Sequence, residues 1–236
     1  DELKLIKESP EDRRRFMDID ISQTSKQYLY ALTRYKEILE NRNKLLKEKI
    51  ERHDLENVMQ IWNDQLASCA LKIETFRKNF VMSLEPYAKK AHSYITDGKE
   101  ELSLEYVGIK ETTKQDIIKV LEDNLDKDLS LGFTSYGPHR DDIKVVVNGL
   151  DIRVYGSQGQ QRTCALSLKL AELDIIKNQL HTKPVLLLDD VLSELDADRK
   201  ERLLSYCTKN QTLITCTDFD FKVKHKKITI SNGEEV

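Results

Sequence analysis

Three features of this 236-residue sequence predict an α/β fold with a large helical lobe. Residues from about Ser22 to Asp97 contain no glycine, and their apolar positions recur at steps of three and four. Beyond Gly98 the texture changes to short strands mixed with helices, and Val185 to Leu188 is a wholly aliphatic run of strand length. With 33% charged and 39% hydrophobic residues, the composition fits much solvated helix around a modest core. The expected division is a helical lobe over 1–182 and a C-terminal part of a second lobe over 183–236.

In the first long helix, Leu32, Tyr35, Leu39, Arg42, Leu46, Lys49 and His53 form one stripe, widened by Ile38, Leu45 and Ile50. Asp54 is placed to cap a second helix, whose stripe runs Leu55, Val58, Trp62, Leu66, Cys69, Ile73, Phe76 and Phe80. The two are expected to pack as an antiparallel hairpin, with Pro86 kinking the second helix or starting a third that Gly98 ends. Leu102 to Val107 reads as a strand. Thr113 with Asp116 reads as a capping box opening a short helix through Leu125. Ile143 to Val147 and Ile152 to Tyr155 flank the turn dipeptide Asn148-Gly149 and read as a hairpin. Gln158 to about Gln179 is helical by pattern. Val185 to Leu188 and Leu213 to Cys216 read as strands buried on both faces of a parallel sheet, with a helix over Leu195 to Cys207 between them. Ile228 to Ile230 reads as an edge strand.

Several function classes are excluded early. Cys69, Cys164, Cys207 and Cys216 are scattered, without the spacing of a zinc site or a disulfide framework, and suit a reducing cytoplasm. The longest aliphatic run is far short of the roughly 20 residues of a membrane helix, so a soluble, cytoplasmic protein is expected. The net charge of -3 carries no global signature of nucleic-acid binding, which leaves local patches. One such patch is residues 34–52, where seven Lys/Arg, among them Arg42, Lys44, Lys47 and Lys49, face four Glu. Either a solvated helix face or a DNA-contacting arm fits it. Lys222, Lys224, Lys226 and Lys227 form a second patch, which could equally protect an edge strand.

The strongest chemical signal is Pro184-Val185-Leu186-Leu187-Leu188-Asp189-Asp190. A strand ending in two carboxylates puts them at the carboxyl edge of a sheet, where ligands bind in open α/β folds. One can serve Mg²⁺ and the next can orient or deprotonate a water, as phosphoryl transfer requires; both could instead cap the next helix. The second signal is Gly156-Ser157-Gln158-Gly159-Gln160-Gln161-Arg162-Thr163, where glycines, a hydroxyl and a helix N-terminus suit an anion. His139-Arg140-Asp141-Asp142 reads as structural ion pairs, with Arg140 reaching a nucleotide or another subunit as the alternative. His53, His92, His181 and His225 read as surface residues.

These motifs together resemble a known group. The Asp189-Asp190 strand resembles a Walker B motif, Ser193-Glu194-Leu195-Asp196 a D-loop, and Gly156 to Gln160 the signature motif of ABC-type ATPases. More closely, Thr134-Ser135-Tyr136-Gly137-Pro138-His139-Arg140-Asp141-Asp142, then Asn148-Gly149, then Ser157 to Thr163 resemble the RecF family of bacterial recombination proteins, as do Arg13 to Asp18 and the helix around Arg42-Asn43. The resemblance covers nearly the whole chain. It implies an ABC-type, Rad50- and SMC-head-like fold that dimerises head to tail around two ATP molecules. It further implies binding to gapped, single- or double-stranded DNA, with RecR and RecO as partners in loading RecA.

Carried over by position, Asp189 would serve Mg²⁺, Asp190 would take the place of the catalytic glutamate, and Ser157, Gln158, Gly159 and Gln160 would contact ATP across the dimer. Asp196 would sit at the subunit interface, and Thr217-Asp218 would occupy the place of the switch histidine of many ABC proteins. One element departs from the pattern, because no G-x-x-x-x-G-K-[ST] occurs and none of the eight glycines precedes Lys-Ser or Lys-Thr. The expectation is a chain lacking the N-terminal phosphate loop of the family, unable by itself to bind ATP well or hydrolyse it. The rivals are another SMC- or Rad50-type head, for which the helical arm is far too short, and a non-enzymatic scaffold binding DNA or RecR.

Overall fold

The computed structural model of the chain describes residues 3–48, 51–180, 183–217, 224–231 and 234–235. After a single turn, α1 (Lys4–Lys7), helix α2 (Pro10–Thr24) starts at a proline whose fixed φ suits the first helical position. The Ser9 hydroxyl accepts from the Glu11 N–H at 3.2 Å. Ser25 then caps α3 (Lys26–Leu45) by accepting from the Tyr28 N–H, and α4 (Arg52–Ile95) returns antiparallel to it as the expected hairpin. At about 1.5 Å per residue, the 44 residues of α4 reach about 65 Å.

Two expectations about α4 change. It starts at Arg52 behind Glu51, with no side-chain cap, so Asp54 lies within its first turn. Pro86 neither ends nor divides it. Pro86 lies on the exposed side, one turn after Met82, which is 66% exposed, so the carbonyl that loses its helical partner there is open to water. The buried Leu84, Ala88 and Ala91 hold the opposite side in place. The helix stops where Asp97 (φ 58°) and Gly98 (φ 68°) turn left-handed, with the Gly98 N–H reaching Ser93 O at 2.8 Å.

Strand β1 (Leu102–Val107) is followed by α5 (Lys114–Asp123), which Thr113 caps as expected, then α6 (Leu125–Leu131) and a 3₁₀ turn at Pro138–Arg140. β2 (Asp142–Val147) pairs antiparallel with β1 from Leu102 opposite Val147 to Val107 opposite Asp142. Asn148 and Gly149, both at positive φ (50° and 80°), turn β2 into β3 (Leu150–Asp151). The second arm of this hairpin is shorter than expected. Ile152–Tyr155 is a single helical turn, α7, because the Asp151 carboxylate caps it from the Arg153 N–H at 3.0 Å and Ile152 is buried.

Helix α8 (Gln158–Leu180) lies between two apolar cores. Cys164, Ala165, Leu168, Ala171 and Ile175 face the larger one, built from α1–α5 and the three-stranded sheet. Leu166, Leu170 and Leu173 face a second, where Ala91 and Ile95 of α4 meet β4 (Leu186–Asp189) and α9 (Ala197–Cys207). A helix buried on two opposite sides spreads its apolar residues round its circumference, which is why its pattern is weakly amphipathic. β4 pairs in parallel with β5 (Thr212–Thr215) through the crossover helix α9. Burial on both faces of these strands is not found. Leu186 and Leu188 are buried, but Leu187 and Leu213 are 66% and 57% exposed, because a two-stranded sheet with a helical layer on one side leaves its other face open. The last strands are β6 (Ile230–Ser231) and β7 (Glu234–Glu235), so pairing starts at Ile230 rather than Ile228.

Candidate functional site

At the carboxyl edge of β4 both acidic side chains are exposed. The Asp189 carboxylate accepts from the Thr215 hydroxyl at 2.5 Å across the sheet. Asp190 adopts a left-handed backbone (φ 51°, ψ 25°) that costs a non-glycine residue roughly 1 kcal/mol or more. Three hydrogen bonds hold it there. Its N–H reaches the Thr215 carbonyl (3.2 Å) and hydroxyl (3.1 Å), and its carbonyl accepts from the Ser193 hydroxyl at 2.9 Å. The sharp turn after the strand thus keeps the Asp190 side chain in solvent rather than capping α9, a task that falls to Asp196. Thr217 is exposed two residues past β5 at the same edge, and Asp218 lies outside the described residues.

Among the described residues no group of three or more His, Cys, Asp or Glu could hold a metal ion. A Mg²⁺ site needs no such cluster, since that ion keeps several waters and takes one or two carboxylates together with phosphate oxygens.

The second signal forms a separate, well-defined unit. Gly156 has no room for a side chain, since a Cβ there would lie 2.5 Å from the Ile152 carbonyl and Cδ1. Ser157 and Gln160 form a reciprocal capping box. The Ser157 hydroxyl accepts from the Gln160 N–H (3.2 Å), and the Gln160 side-chain oxygen accepts from the Ser157 N–H (3.1 Å). Ser157 and Gln158 are exposed, Gly159 and Gln160 half-buried. The first N–H groups of a 23-residue helix point out beside a hydroxyl whose own proton is not used in the cap.

This unit is joined to α9. Asp196 caps α9 by accepting from the Arg199 N–H at 2.9 Å and lies 3.4 Å from the Arg199 Nε. The Arg199 guanidinium donates to the Gly159 carbonyl (3.0 Å), the Thr163 hydroxyl (2.7 Å) and the Glu100 carboxylate (3.0 Å). Glu100 also accepts from the Gln160 side-chain N–H₂ at 3.3 Å and lies 3.2 Å from His92 Nε2. Sequence reasoning missed Thr215, Arg199, Glu100 and His92. Arg199 was readable as the cation three residues into the helix that Asp196 opens; the others depend on strand pairing and helix packing.

His92 corrects an expectation. It is completely buried rather than on the surface, with Nδ1 3.1 Å from the Ser167 hydroxyl, and burial lowers its pKa against the opposing pull of Glu100. Arg42, expected to contact DNA, is also fully buried. Its guanidinium donates to Asn63 (2.9 Å), Asp128 (2.8 Å) and Thr134 (2.7 Å), so it cannot reach a phosphate. Lys44 and Lys47 are exposed, and Lys44 pairs with Glu40 at 3.0 Å. Lys49 and Lys222 lie outside the described residues, whereas Lys224, Lys226 and Lys227 are exposed.

The His139-Arg140-Asp141-Asp142 segment begins in a 3₁₀ turn rather than a strand. Asp141 pairs with Arg77 (2.8 Å) and Asp142 with Arg13 (2.5 Å), as the ion-pair reading expected. His139 Nε2 donates to the Thr134 carbonyl (2.9 Å) and Nδ1 accepts from the Tyr35 hydroxyl (2.7 Å), while burial lowers its pKa to about 4. Arg140 is exposed, stacked 5.0 Å over the Phe133 ring.

No protein-family model matches the chain. Among curated proteins, the DNA replication and repair protein RecF of Alkaliphilus oremlandii is 45% identical over 226 residues, which are 92% of this chain and 61% of that relative. The protein of the same description from Clostridium botulinum is 40% identical over 244 residues, covering 100% of this chain and 67% of that relative. A solved structure of the recombination mediator protein RecF with ATP, in the RecFOR pathway, superposes with a TM-score of 0.82 at 38% identity, over 94% of this chain and 61% of the other. The fold is that of the ABC-type ATPase class. The chain belongs to the RecF family. It spans about three fifths of the length of the first of these relatives.

Proposed function

We propose that this chain supplies the signature segment and the Walker B edge of an ATP-dependent dimer that binds DNA during recombinational repair. The observation that carries this reading is the Ser157–Gln160 unit. It is a helix N-terminus held rigid by its own capping box and by Arg199, with Ser157 and Gln158 facing outward and the exposed Val154 and Tyr155 beside it. An anion site made of backbone N–H groups and a hydroxyl suits a terminal phosphate presented by a second subunit. In that arrangement Ser157, Gln158, Gly159 and Gln160 bind the phosphate, Asp196 lies at the interface, and Thr217 faces the nucleotide from the end of β5. Asp189 would hold Mg²⁺, which would supply neutralisation of phosphate charge. Asp190, with its carboxylate in solvent, orients and deprotonates the attacking water. Units 1–182 and 183–236 then correspond to the signature-bearing lobe and the Walker B part of the ATPase lobe.

The RecF name of the relatives and the ATP and RecFOR wording of the solved structure support ATP, DNA, RecR and RecO as partners; RecA loading as the outcome rests on the family resemblance of the motifs. Lys44 on α3 and Lys47 just beyond it remain available for phosphate contacts, with Lys49 a candidate from sequence alone. No described helix is long and apolar enough to cross a membrane, which fits action in the cytoplasm. A second reading applies to the chain by itself. With no G-x-x-x-x-G-K-[ST] in its sequence, it acts alone as a scaffold without ATPase activity. Micromolar ATP binding or Mg²⁺-dependent turnover by the purified chain contradicts that second reading.

The test of the main reading is Ser157→Arg in a full-length RecF that carries this sequence. Dimerisation with ATP should be lost while nucleotide affinity stays within about twofold, since a cross-subunit contact is removed and the nucleotide's own subunit is untouched. Equal loss of both contradicts the cross-subunit role.

A further inference from the structure

One carboxylate lies at the meeting point of three elements that the sequence treats separately. Glu100 follows the left-handed Asp97-Gly98 turn at the end of α4, and its side chain is 12% exposed. Its Oε1 accepts from Arg199 of α9 and from the Gln160 amide of the signature segment, and its Oε2 faces His92 near the end of the helical arm. We propose that Glu100 is a positioning residue for the signature segment, setting the orientation of Ser157 through the Gln160 amide and coupling that segment to α9 and to the base of α4. The inference rests on the function proposed above.

A carboxamide has one accepting and one donating end, and Gln160 uses both. Its N–H₂ donates to Glu100, which forces its oxygen toward the Ser157 N–H, the second half of the capping box. Without an acceptor at Glu100 the amide can turn over, presenting its N–H₂ to the Ser157 N–H and opening the box. Arg199 is aimed in the same way. With one nitrogen on Glu100, the other meets the Gly159 carbonyl and the Thr163 hydroxyl, so α9, opened by Asp196, follows the first turn of α8. His92 closes the chain, because Ser167, 3.1 Å from its Nδ1, donates to the Thr163 carbonyl at 2.6 Å on the same helix. The apolar contacts of this region, Ala91 and Ile95 with Leu166 and Leu170, do not involve Glu100. The fold has other support, and the carboxylate's particular contribution is the geometry of residues 157–163.

Two substitutions separate position from charge, made in a full-length RecF carrying this sequence. Glu100→Gln keeps the reach and an accepting oxygen but removes the charge. Glu100→Asp keeps the charge but draws the oxygens back by one methylene. With E100D, ATP-dependent dimerisation should weaken about tenfold or more, the scale of a lost charge-assisted hydrogen bond. Amide exchange at residues 158–161 should quicken while residues 166–175 and nucleotide affinity are unchanged. With E100Q, dimerisation should stay within about threefold of the parent. Parent-like dimerisation of E100D, an E100Q defect as large as that of E100D, or faster exchange spread over all of α8 overturns the proposal. Ser157→Arg, run in parallel, keeps the two ideas apart. If S157R leaves the dimer intact, the cross-subunit reading fails, and if S157R breaks it while E100D does not, only the role of Glu100 fails.

Discussion

Arg77 and Asp190 lie at the two ends of a contrast between polar groups used for the fold and polar groups kept for chemistry. Arg77 on α4 is nearly sealed from water. It donates to Asp18, Asp141 and the Pro138 carbonyl, while the Tyr106 hydroxyl donates to the same Asp141 carboxylate. Asp190 is exposed, its carboxylate has no hydrogen-bond partner among the described residues, and its backbone, bonded to Thr215 and Ser193, is held in a costly conformation. In sequence Asp141, the partner of Arg77, and Asp190 each belong to an acidic pair, Asp141-Asp142 and Asp189-Asp190. Burial separates them. The first pair neutralises arginines from α2 and α4 across the lobe, and the second is set at a sheet edge facing solvent.

That contrast can be broken in order of expected effect. Asp141→Ala should cost about 3–5 kcal/mol in chemical denaturation, because it leaves Arg77 buried with part of its charge uncompensated. A loss under about 1 kcal/mol would mean that the network is not structural. Asp20, buried beside Glu172, has its pKa raised to about 8, first by burial and then by that second carboxyl. The folded state therefore holds this proton more tightly than the unfolded chain. Its contribution to stability is complete below the ordinary carboxyl pKa near 4 and is lost as the pH rises through about 8. Asp20→Asn should remove a slope of up to about 1.4 kcal/mol per pH unit across that window, measured as unfolding free energy at pH 5 and pH 7.

Smaller effects are expected at the exposed region. Asp190→Gly should raise stability by about 1 kcal/mol through relief of the left-handed strain, while abolishing any ATP turnover of a full-length RecF carrying it. Destabilisation instead would show that the Asp190 side chain serves the fold. Lys44→Glu with Lys47→Glu should change stability by less than about 0.5 kcal/mol, since Lys44 contributes only an exposed pair with Glu40. The double variant should weaken DNA binding and flatten its salt dependence; an unchanged salt slope removes these lysines from the DNA surface.

The same contrast explains what was legible in the sequence. The α3–α4 hairpin, the Asn148-Gly149 turn, the Thr113 cap and the start of α8 follow from local periodicity and turn chemistry, and each is found. Arg42 is more instructive. The apolar stripe Leu32, Tyr35, Leu39, Arg42, Leu46 placed it inward, while its charge suggested the surface; the phase of the helix was the better guide, because Asp128 supplies the counter-charge 86 residues later. His92 sits in phase with Ala88 and Ile95, both buried, and the same rule applied there would have found it. The one-sided burial of β4 and β5 was not readable, since an aliphatic run looks alike whether one face is covered or two. The carboxylates at the strand end were readable as chemistry, but the Thr215 bonds that shape Asp190 and the Glu100 bonds that shape Ser157 arise only when distant segments meet.

The central claim is that this chain offers a preformed signature segment to a nucleotide held by another subunit. The direct measurement is association of the purified chain with a full-length RecF, followed by sedimentation with and without ATP. The account predicts a complex that forms with ATP, is weakened at least about tenfold without it, and is lost when the chain carries Ser157→Arg. Association that ignores ATP, or that survives S157R unchanged, would contradict it.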